Sequence, residues 1–133
     1  MKDFVIDASA LVLSLVGKTA AADALRQRLP QMRRHAPHLI DAEVGNVLRR
    51  HERAGLISAR EAETALRMLD ALVDNRYPHA GMLARRAWEM RHHVSFYDEL
   101  YAALAGHLDI PLLTADARLD RAAGLACRVE VVG

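Results

Sequence analysis

The chain has 133 residues, a net charge of +1, 52% hydrophobic residues and 26% charged residues. This length and composition predict one globular domain over residues 1–133 and exclude a disordered or low-complexity chain. A single cysteine, Cys127, excludes an intramolecular disulfide and a cysteine-rich zinc site, which favours a cytoplasmic protein. The apolar run Phe4–Val16 contains Asp7 and is shorter than the roughly 18 residues of a membrane span, so no membrane association is expected.

Short apolar runs alternate along the chain with segments of helical periodicity. The predicted strands are Phe4–Ile6, His38–Ile40, Asn75–Pro78, Pro111–Thr114 and Arg128–Val132. The predicted helices are Ala8–Val16, Ala20–Leu29, Asp41–Ala54, Ser58–Leu72, Ala80–Arg91 and Asp98–Leu108. The helix at Ser58 opens on a capping-box sequence that ends at Glu61. This alternation predicts an α/β domain with a mostly parallel sheet that helices cover on both faces.

Four acidic residues occupy equivalent places in this pattern. Asp7 follows the first strand, Glu43 lies in the first turn after the second, Asp98 begins a helix, and Asp116 follows the fourth strand. In a doubly wound sheet these positions share one rim, at which ligands bind. We therefore expect the four carboxylates to converge there.

Each acid also has a purely structural interpretation, because aspartate is a favoured N-cap and acidic side chains suit the positive end of a helix dipole. The observation that favours a site is the set of four acids at one rim with small neighbours. Close to these acids in sequence, Ser9 and Thr114 carry hydroxyls that can orient a carboxylate or a metal-bound water.

Electrostatics decides what such a site would contain. Two carboxylates about 6 Å apart repel by roughly 3 kcal/mol at an effective dielectric constant of about 20, so four together must take up protons or hold cations. Oxygen ligands favour Mg²⁺ or Mn²⁺ over zinc, and Mg²⁺ held by carboxylates keeps several waters and engages phosphate. The four acids therefore predict metal-assisted hydrolysis of a phosphodiester.

The segments that carry these acids resemble the PIN-domain ribonucleases in their order and spacing. They are Val5–Ala10, Glu43–Arg50, Tyr97–Ala105 and Leu113–Leu119. The chain is most similar in format to the VapC toxins of bacterial toxin–antitoxin (VapBC) systems. The resemblance implies a three-layer α/β/α PIN-like fold with a mostly parallel sheet of about five strands. It also implies a toxin that is a Mg²⁺- or Mn²⁺-dependent endoribonuclease.

The resemblance implies residue roles as well. The implied set is Asp7, Glu43, Asp98 and Asp116 as catalytic and metal-binding acids, with Ser9, Asn46 and Thr114 as supporting polar residues. Asn46 has the alternative of an ordinary helix-surface residue. We interpret Asp3, Asp41 and Glu99, which neighbour the motifs, as surface or capping residues. Asp120, four residues after Asp116, is left outside the set.

Partners are indicated by charge and by the resemblance. Arginine clusters such as Arg49–Arg50 and Arg85–Arg86 fit either walls that position RNA phosphates or an ordinary solvated surface. The aromatic content of 5% favours recognition of RNA shape and backbone over stacking on bases. The resemblance implies an RNA substrate, a VapB-type antitoxin that blocks the acidic cleft, and a homodimer. The apolar helix Ala8–Val16 is either a docking surface or buried between layers.

Two other functions stay open at this point. A phosphoacceptor receiver domain also has acids at strand ends, but it usually needs a second acid beside the first and a lysine near the site. Asp7 has no adjacent acid, and neither Lys2 nor Lys18 follows a late strand. The other alternative is a PIN-like module that binds a basic peptide through its acids and cleaves nothing.

Overall fold

The computed structural model describes residues 1–122 and 124–133. The strands in this part of the chain are β1 (Lys2–Ile6), β2 (Met32–Pro37), β3 (Asn75–Tyr77), β4 (Leu112–Thr114) and β5 (Val129–Val131). The helices there are α1 (Ala8–Val16), α2 (Ala20–Arg28), α3 (Leu39–Arg53), α4 (Ala59–Leu72), α5 (Met82–Glu89), α6 (Phe96–Leu108) and α7 (Ala117–Arg121). Helices α1 to α4 pack against one another and α5 packs against α6. The predicted α/β class with helices on both sides of the sheet is confirmed.

All five strands pair in parallel in one sheet, in the order β3-β2-β1-β4-β5. Strand β1 is central, with Val5 opposite His35 of β2 on one side and opposite Leu112 of β4 on the other. Val5, Ile6 and Leu112 are fully buried, as expected for a parallel sheet with both faces covered. The chain builds β2 and β3 on one side of β1 and then β4 and β5 on the other. The strand order therefore reverses between β1 and β4, which is where a crevice opens in such sheets.

The ends of the helices follow local chemistry. Asp7 caps α1 by accepting a hydrogen bond from the Ala10 N–H, and Ser95 caps α6 by accepting one from the Asp98 N–H. The predicted capping box of α4 is confirmed, because the Ser58 and Glu61 side chains each accept a hydrogen bond from the other's backbone. These caps place Asp7 and Asp98 at helix N-termini beside the carboxyl edge of the sheet.

The predicted second strand, His38–Ile40, is wrong. The second strand of the chain is instead β2, Met32–Pro37, and Leu39 and Ile40 form the first turn of α3. Ile40 is fully buried and continues into Val44 and Leu48 at helical spacing, so these residues face the core from a helix.

Strand β2 contains two arginines and a histidine, so it is not an apolar run and was not predicted as a strand. Its polar side chains are satisfied by tertiary contacts. Arg34 donates to the backbone carbonyls of Leu29 and Leu72, and the His35 ring nitrogens lie 2.8 Å from Asp3 Oδ1 and 2.8 Å from the Tyr77 hydroxyl.

Several other bounds differ from the predicted ones by a few residues. Helix α5 is shorter at both ends than Ala80–Arg91, α6 begins at Phe96, and α2 gives way to a 3₁₀ turn at Leu29–Gln31 that contains the predicted breaker Pro30. In the part of the chain that the structure describes, no single helix is long and apolar enough to cross a membrane. One bent pair, Ala8–Val16 with Ala20–Gln31, has the length and composition of a membrane span only when its two segments are taken together, and the angle between them is 105°.

Gly45→Ala and Gly106→Ala are predicted to change the free energy of unfolding in opposite directions. Both lie within helices, where alanine is preferred over glycine by about 1 kcal/mol. A Cβ at Gly45 would meet only Leu66 Cδ1, at 3.9 Å, whereas a Cβ at Gly106 would lie 2.6 Å from the Ala126 carbonyl oxygen. We expect urea unfolding to show Gly45→Ala stabilised by roughly 0.5–1 kcal/mol and Gly106→Ala destabilised. A stabilised Gly106→Ala would contradict the close approach of Ala126 to α6.

Candidate active site

The four predicted acids line one cavity of about 600 Å³ at the carboxyl edge of the sheet. Asp7 and Asp116 come from the ends of the adjacent strands β1 and β4, Glu43 comes from α3, and Asp98 comes from the first turn of α6. The cavity thus lies where the strand order reverses. Residues that are far apart in sequence meet there because each follows the carboxyl end of a parallel strand or begins a helix beside it.

Asp7 is the most deeply buried of the four acids, with 5% of its surface exposed. Its Oδ1 accepts hydrogen bonds from Ser9 Oγ at 2.7 Å and from the Ala10 N–H at 3.0 Å. Burial raises the pKa of Asp7, the charge of Asp98 raises it further, and the hydroxyls of Thr114 and Ser9 oppose the shift. The Asp7 carboxylate is therefore held by neutral donors.

Ser9 and Thr114 join the ends of β1 and β4. Ser9 Oγ accepts from the Ala115 N–H at 2.9 Å and lies 3.2 Å from Thr114 Oγ1, which in turn accepts from the Asp116 N–H at 3.0 Å. Because Ser9 gives its single hydroxyl hydrogen to Asp7, Thr114 is the donor in the Ser9–Thr114 contact. The two hydroxyls thus fix Asp7 relative to the loop that carries Asp116.

Glu43 is positioned by a residue to which the sequence analysis gave no role. The buried hydroxyl of Tyr101 donates a hydrogen bond to Glu43 Oε1 at 2.6 Å, and Tyr101 is 2% exposed. Burial raises the pKa of Glu43, and the charges of Asp98 and Asp7 add to the effect, whereas the Tyr101 hydrogen bond opposes it. Tyr101 lies three residues after Asp98 and so on the same helix face. That spacing was the signal that could have identified it.

Asp98 and Asp116 differ in charge environment. Burial raises the pKa of Asp98, the Ser95 hydrogen bond opposes the shift, and the charge of Asp116 adds to it. Arg118 instead lowers the pKa of Asp116 by a two-pronged contact, with Nε 3.0 Å from Oδ1 and Nη2 2.7 Å from Oδ2. One of the four acids therefore has an adjacent guanidinium, while burial and mutual repulsion act on the other three.

Two residues near the motifs lie elsewhere than expected. Asn46 is exposed on α3 and is not among the cavity-lining residues, so its supporting role stays a prediction. The interpretation of Glu99 as a surface or capping residue is wrong, because Glu99 is 1% exposed. Neither of its carboxylate oxygens has a hydrogen-bond partner among residues 1–122 and 124–133. Successive helix residues point about 100° apart, so Glu99 faces the interior when Asp98 faces the cavity.

The donor set fits a hard divalent cation, in an open site. Among the described residues, no group of three or more His, Cys, Asp or Glu side chains is arranged to enclose an ion. Mg²⁺ does not need such a cage, because it commonly uses one or two carboxylates and fills its remaining positions with water and substrate phosphate. The four acids offer only oxygen donors, and they line a cavity large enough for water. The negative charge is disfavoured on Asp7, Glu43 and Asp98. These features match that mode of binding.

The cavity continues from the acids into an apolar half. Val12, Leu13 and Val16 of α1 line this half together with Val47 and Ile57. Basic side chains also contribute to the lining, namely Lys18, Arg50 and His51. One side of α1 therefore faces the cavity, while its fully buried residues, such as Leu11, face the core.

Comparison with known proteins assigns the class. The family model for the PIN domain matches residues 4–125, and the chain belongs to the PIN-domain family. It is 50% identical over 132 residues to ribonuclease VapC1 of Mycobacterium tuberculosis, with 99% of both chains covered. It is 38% identical over 128 residues to ribonuclease VapC9 of the same species, with 96% and 97% covered.

Solved structures share the fold. The crystal structure of Mycobacterium tuberculosis VapC20, a sarcin–ricin loop cleaving toxin, matches with a TM-score of 0.70 at 19% identity, covering 92% of this chain and 95% of that one. A chain of the Rickettsia felis VapBC2 complex with a promoter DNA fragment matches with a TM-score of 0.71 at 11% identity, covering 98% and 99%. The predicted resemblance to PIN-domain proteins of the VapC type is confirmed, as is the PIN-like fold.

In metal-free buffer, Asp98→Asn is predicted to be at least as stable as the unaltered chain at pH 7. The pKa values of Asp7, Glu43 and Asp98 are raised in the folded chain, so the folded chain binds protons more tightly than the unfolded chain. Stability contributed by these groups is therefore lost as the pH rises from about 4 through their folded pKa values. Removing the Asp98 charge should flatten this loss, measured as Tm against pH in EDTA.

Asp116→Asn is the matched control. The pKa of Asp116 is lowered by Arg118, so this group stabilises the folded chain above the ordinary carboxyl pKa, and its removal should bring no gain. A Tm for Asp98→Asn several degrees below that of the unaltered chain at pH 7 would contradict repulsion among the acids.

Proposed function

We propose that the chain is the toxin of a VapBC-type toxin–antitoxin pair and a metal-dependent endoribonuclease that hydrolyses RNA phosphodiester bonds. The observation that carries the proposal is the cavity lined together by Asp7, Glu43, Asp98 and Asp116. Membership of the PIN-domain family supports it, as does 50% identity to a protein named ribonuclease VapC1.

The proposed cofactor is Mg²⁺ or Mn²⁺, held in the cavity that Asp7, Glu43, Asp98 and Asp116 line, by one or two of these carboxylates directly and by the others through its waters. When bound, the ion supplies a water of lowered pKa as nucleophile and stabilises charge that develops on the phosphodiester. The surrounding residues keep the carboxylates in place. Ser9 and Thr114 fix Asp7, and Tyr101 fixes Glu43.

Attack by water makes the 2′-hydroxyl of the RNA unnecessary. We therefore propose products with 5′-phosphate and 3′-hydroxyl ends. No histidine is needed as the base in this proposal, although His51 is among the residues that line the cavity.

The proposed partners are the RNA substrate, a VapB-type antitoxin and a second copy of the chain, in the cytoplasm. Solved VapBC complexes share this fold, from Rickettsia felis and Haemophilus influenzae among others. The apolar half of the cavity fits an apolar segment of the antitoxin, because Val12, Leu13 and Val16 lie in the same cavity as the acids. A basic side chain on that segment would find the unneutralised carboxylates beside it.

The receiver-domain alternative is not retained. Receiver domains have the strand order 2-1-3-4-5, whereas this sheet has the order β3-β2-β1-β4-β5. A PIN-like module that only binds a partner stays as a possible outcome of the experiment below.

Purified protein is predicted to cut total cellular RNA at discrete positions with Mg²⁺ or Mn²⁺ and not with EDTA. Asp98→Asn should lose cleavage on the order of 100-fold or more, because it removes one of the charged carboxylates proposed to hold the metal. Asp70→Asn, on the exposed side of α4, is the matched control and should cut normally. Cuts that survive in Asp98→Asn would place the activity elsewhere, and cyclic 2′,3′-phosphate ends would contradict attack by water.

Tyr101→Phe is predicted to raise the Mg²⁺ concentration needed for half-maximal cleavage. The variant keeps the ring in the core but removes the hydroxyl that holds Glu43, so cleavage at low Mg²⁺ should fall on the order of 10-fold. Glu43→Gln should lose more, at every Mg²⁺ concentration. An unchanged Mg²⁺ requirement in a stably folded Tyr101→Phe would show that Tyr101 has a structural role only.

A further inference from the structure

Arg50 is a basic residue that lines the same cavity as the four acids. Among the residues that the structure describes, its guanidinium forms no ion pair. Lys18, which also lines the cavity, instead lies 3.7 Å from a carboxylate oxygen of Glu61. Because a guanidinium stays charged in proteins, Arg50 brings to the cavity a positive charge that no carboxylate in this part of the chain compensates.

Helix α3 carries Arg50 on the same side as Glu43. Glu43, Val47 and Arg50 follow one another at spacings of four and three residues, which places them on one helix face, and all three line the cavity. At 1.5 Å per residue, Arg50 lies about 10 Å further along α3 than Glu43. The charges that shift the pKa of Glu43 are those of Asp98 and Asp7, and Arg50 is not among them. The arginine and the acids therefore occupy separate places in one cavity.

Arg49, the preceding residue, faces elsewhere. Successive helix residues point about 100° apart, and Arg49 lines a different cavity between α3 and α4, together with Gly45, Leu48 and Leu66. The sequence analysis treated Arg49 and Arg50 as one cluster with two possible roles. The structure separates them, because Arg50 faces the cavity of the acids and Arg49 does not.

The surroundings of Arg50 are partly apolar. Val47 lies between Glu43 and Arg50 on α3, and Leu56 also lines the cavity. The Leu56 N–H donates to the His51 carbonyl at 2.9 Å, which brings Leu56 beside the end of the helix that carries Arg50. Apolar walls screen a charge less than water does, so they strengthen the attraction of Arg50 for an anion.

The ligand has to complement both ends of this cavity. A divalent cation at the acids and a guanidinium further along α3 are two separate positive charges. A nucleic-acid strand carries one phosphate on each nucleotide, so it offers an anion to each of them. The planar guanidinium of arginine binds phosphate through two parallel hydrogen bonds.

We propose that Arg50 binds a phosphate of the RNA strand next to the bond that is cleaved. This inference rests on the proposed function for its substrate, and it adds to that function a phosphate subsite beyond the acids. Arg50 is a substrate-positioning residue, because it contacts the strand and not the reacting atoms. Its contact is with the backbone, so it selects no base sequence.

The salt dependence of RNA binding tests the subsite, because each phosphate contact with a single strand contributes about 0.7 to the slope of log affinity against log salt concentration. The full chain is titrated in EDTA with a short labelled single-stranded RNA and followed by fluorescence anisotropy. We expect Arg50→Gln to bind on the order of 10-fold more weakly, with a slope less steep by about 0.7. Arg50→Lys should keep the slope because it keeps the charge.

Arg49→Gln is the matched control. It removes the same charge one residue earlier on α3, so it reproduces any effect on the helix dipole, and it should keep both the affinity and the slope. Equal losses in Arg49→Gln and Arg50→Gln would overturn the proposal, as would an unchanged slope in Arg50→Gln. Failure of the unaltered chain to bind the RNA would overturn it as well.

Kinetics with Mg²⁺ separates this proposal from the proposed function. Arg50→Gln should raise KM more than it lowers kcat, because a contact away from the reacting atoms is made equally in the bound substrate and in the transition state. A slope that depends on Arg50, without cleavage by the unaltered chain, would support the subsite and contradict the nuclease. Metal-dependent cleavage with unchanged KM and slope in Arg50→Gln would support the nuclease and overturn the subsite.

Discussion

The candidate site depends on carboxylates that are kept where burial and mutual repulsion both disfavour their charge. The reversal of strand order between β1 and β4 makes this arrangement available, because the connections leave the two strands on opposite sides and the crevice between them stays open. Asp7 is the clearest case, since it is nearly inaccessible and its Oδ1 contacts are Ser9 and the Ala10 N–H. Dipoles orient this carboxylate without neutralising it, so its attraction for a cation is retained.

Asp116, the outermost of the four acids, is paired with an arginine. The Arg118 side chain that pairs with it is 81% exposed, and exposed ion pairs are worth only about 0–1 kcal/mol. Opening that pair is therefore inexpensive, and Asp116 can exchange the guanidinium for another cation. The three inner acids have no comparable arrangement, because their pKa values are raised by burial and by each other. A cation in the cavity would relieve all three at once.

Much of this arrangement could be predicted from the sequence where local chemistry determines it. The capping box at Ser58, helix α1 and the four acids after strands or at helix starts were all identified that way. Strand β2 was missed because its Arg34 and His35 look exposed until Asp3, Leu72 and Tyr77, which are distant in sequence, supply their partners. Glu99 was misplaced for the related reason that a carboxylate buried without hydrogen bonds runs against every local preference.

The acidic cavity has two parts, the four carboxylates and the apolar side chains of α1. An antitoxin segment that fills the cavity would compete with RNA for the acids and for the apolar side of α1. Loss of access to the carboxylates alone would stop the proposed hydrolysis.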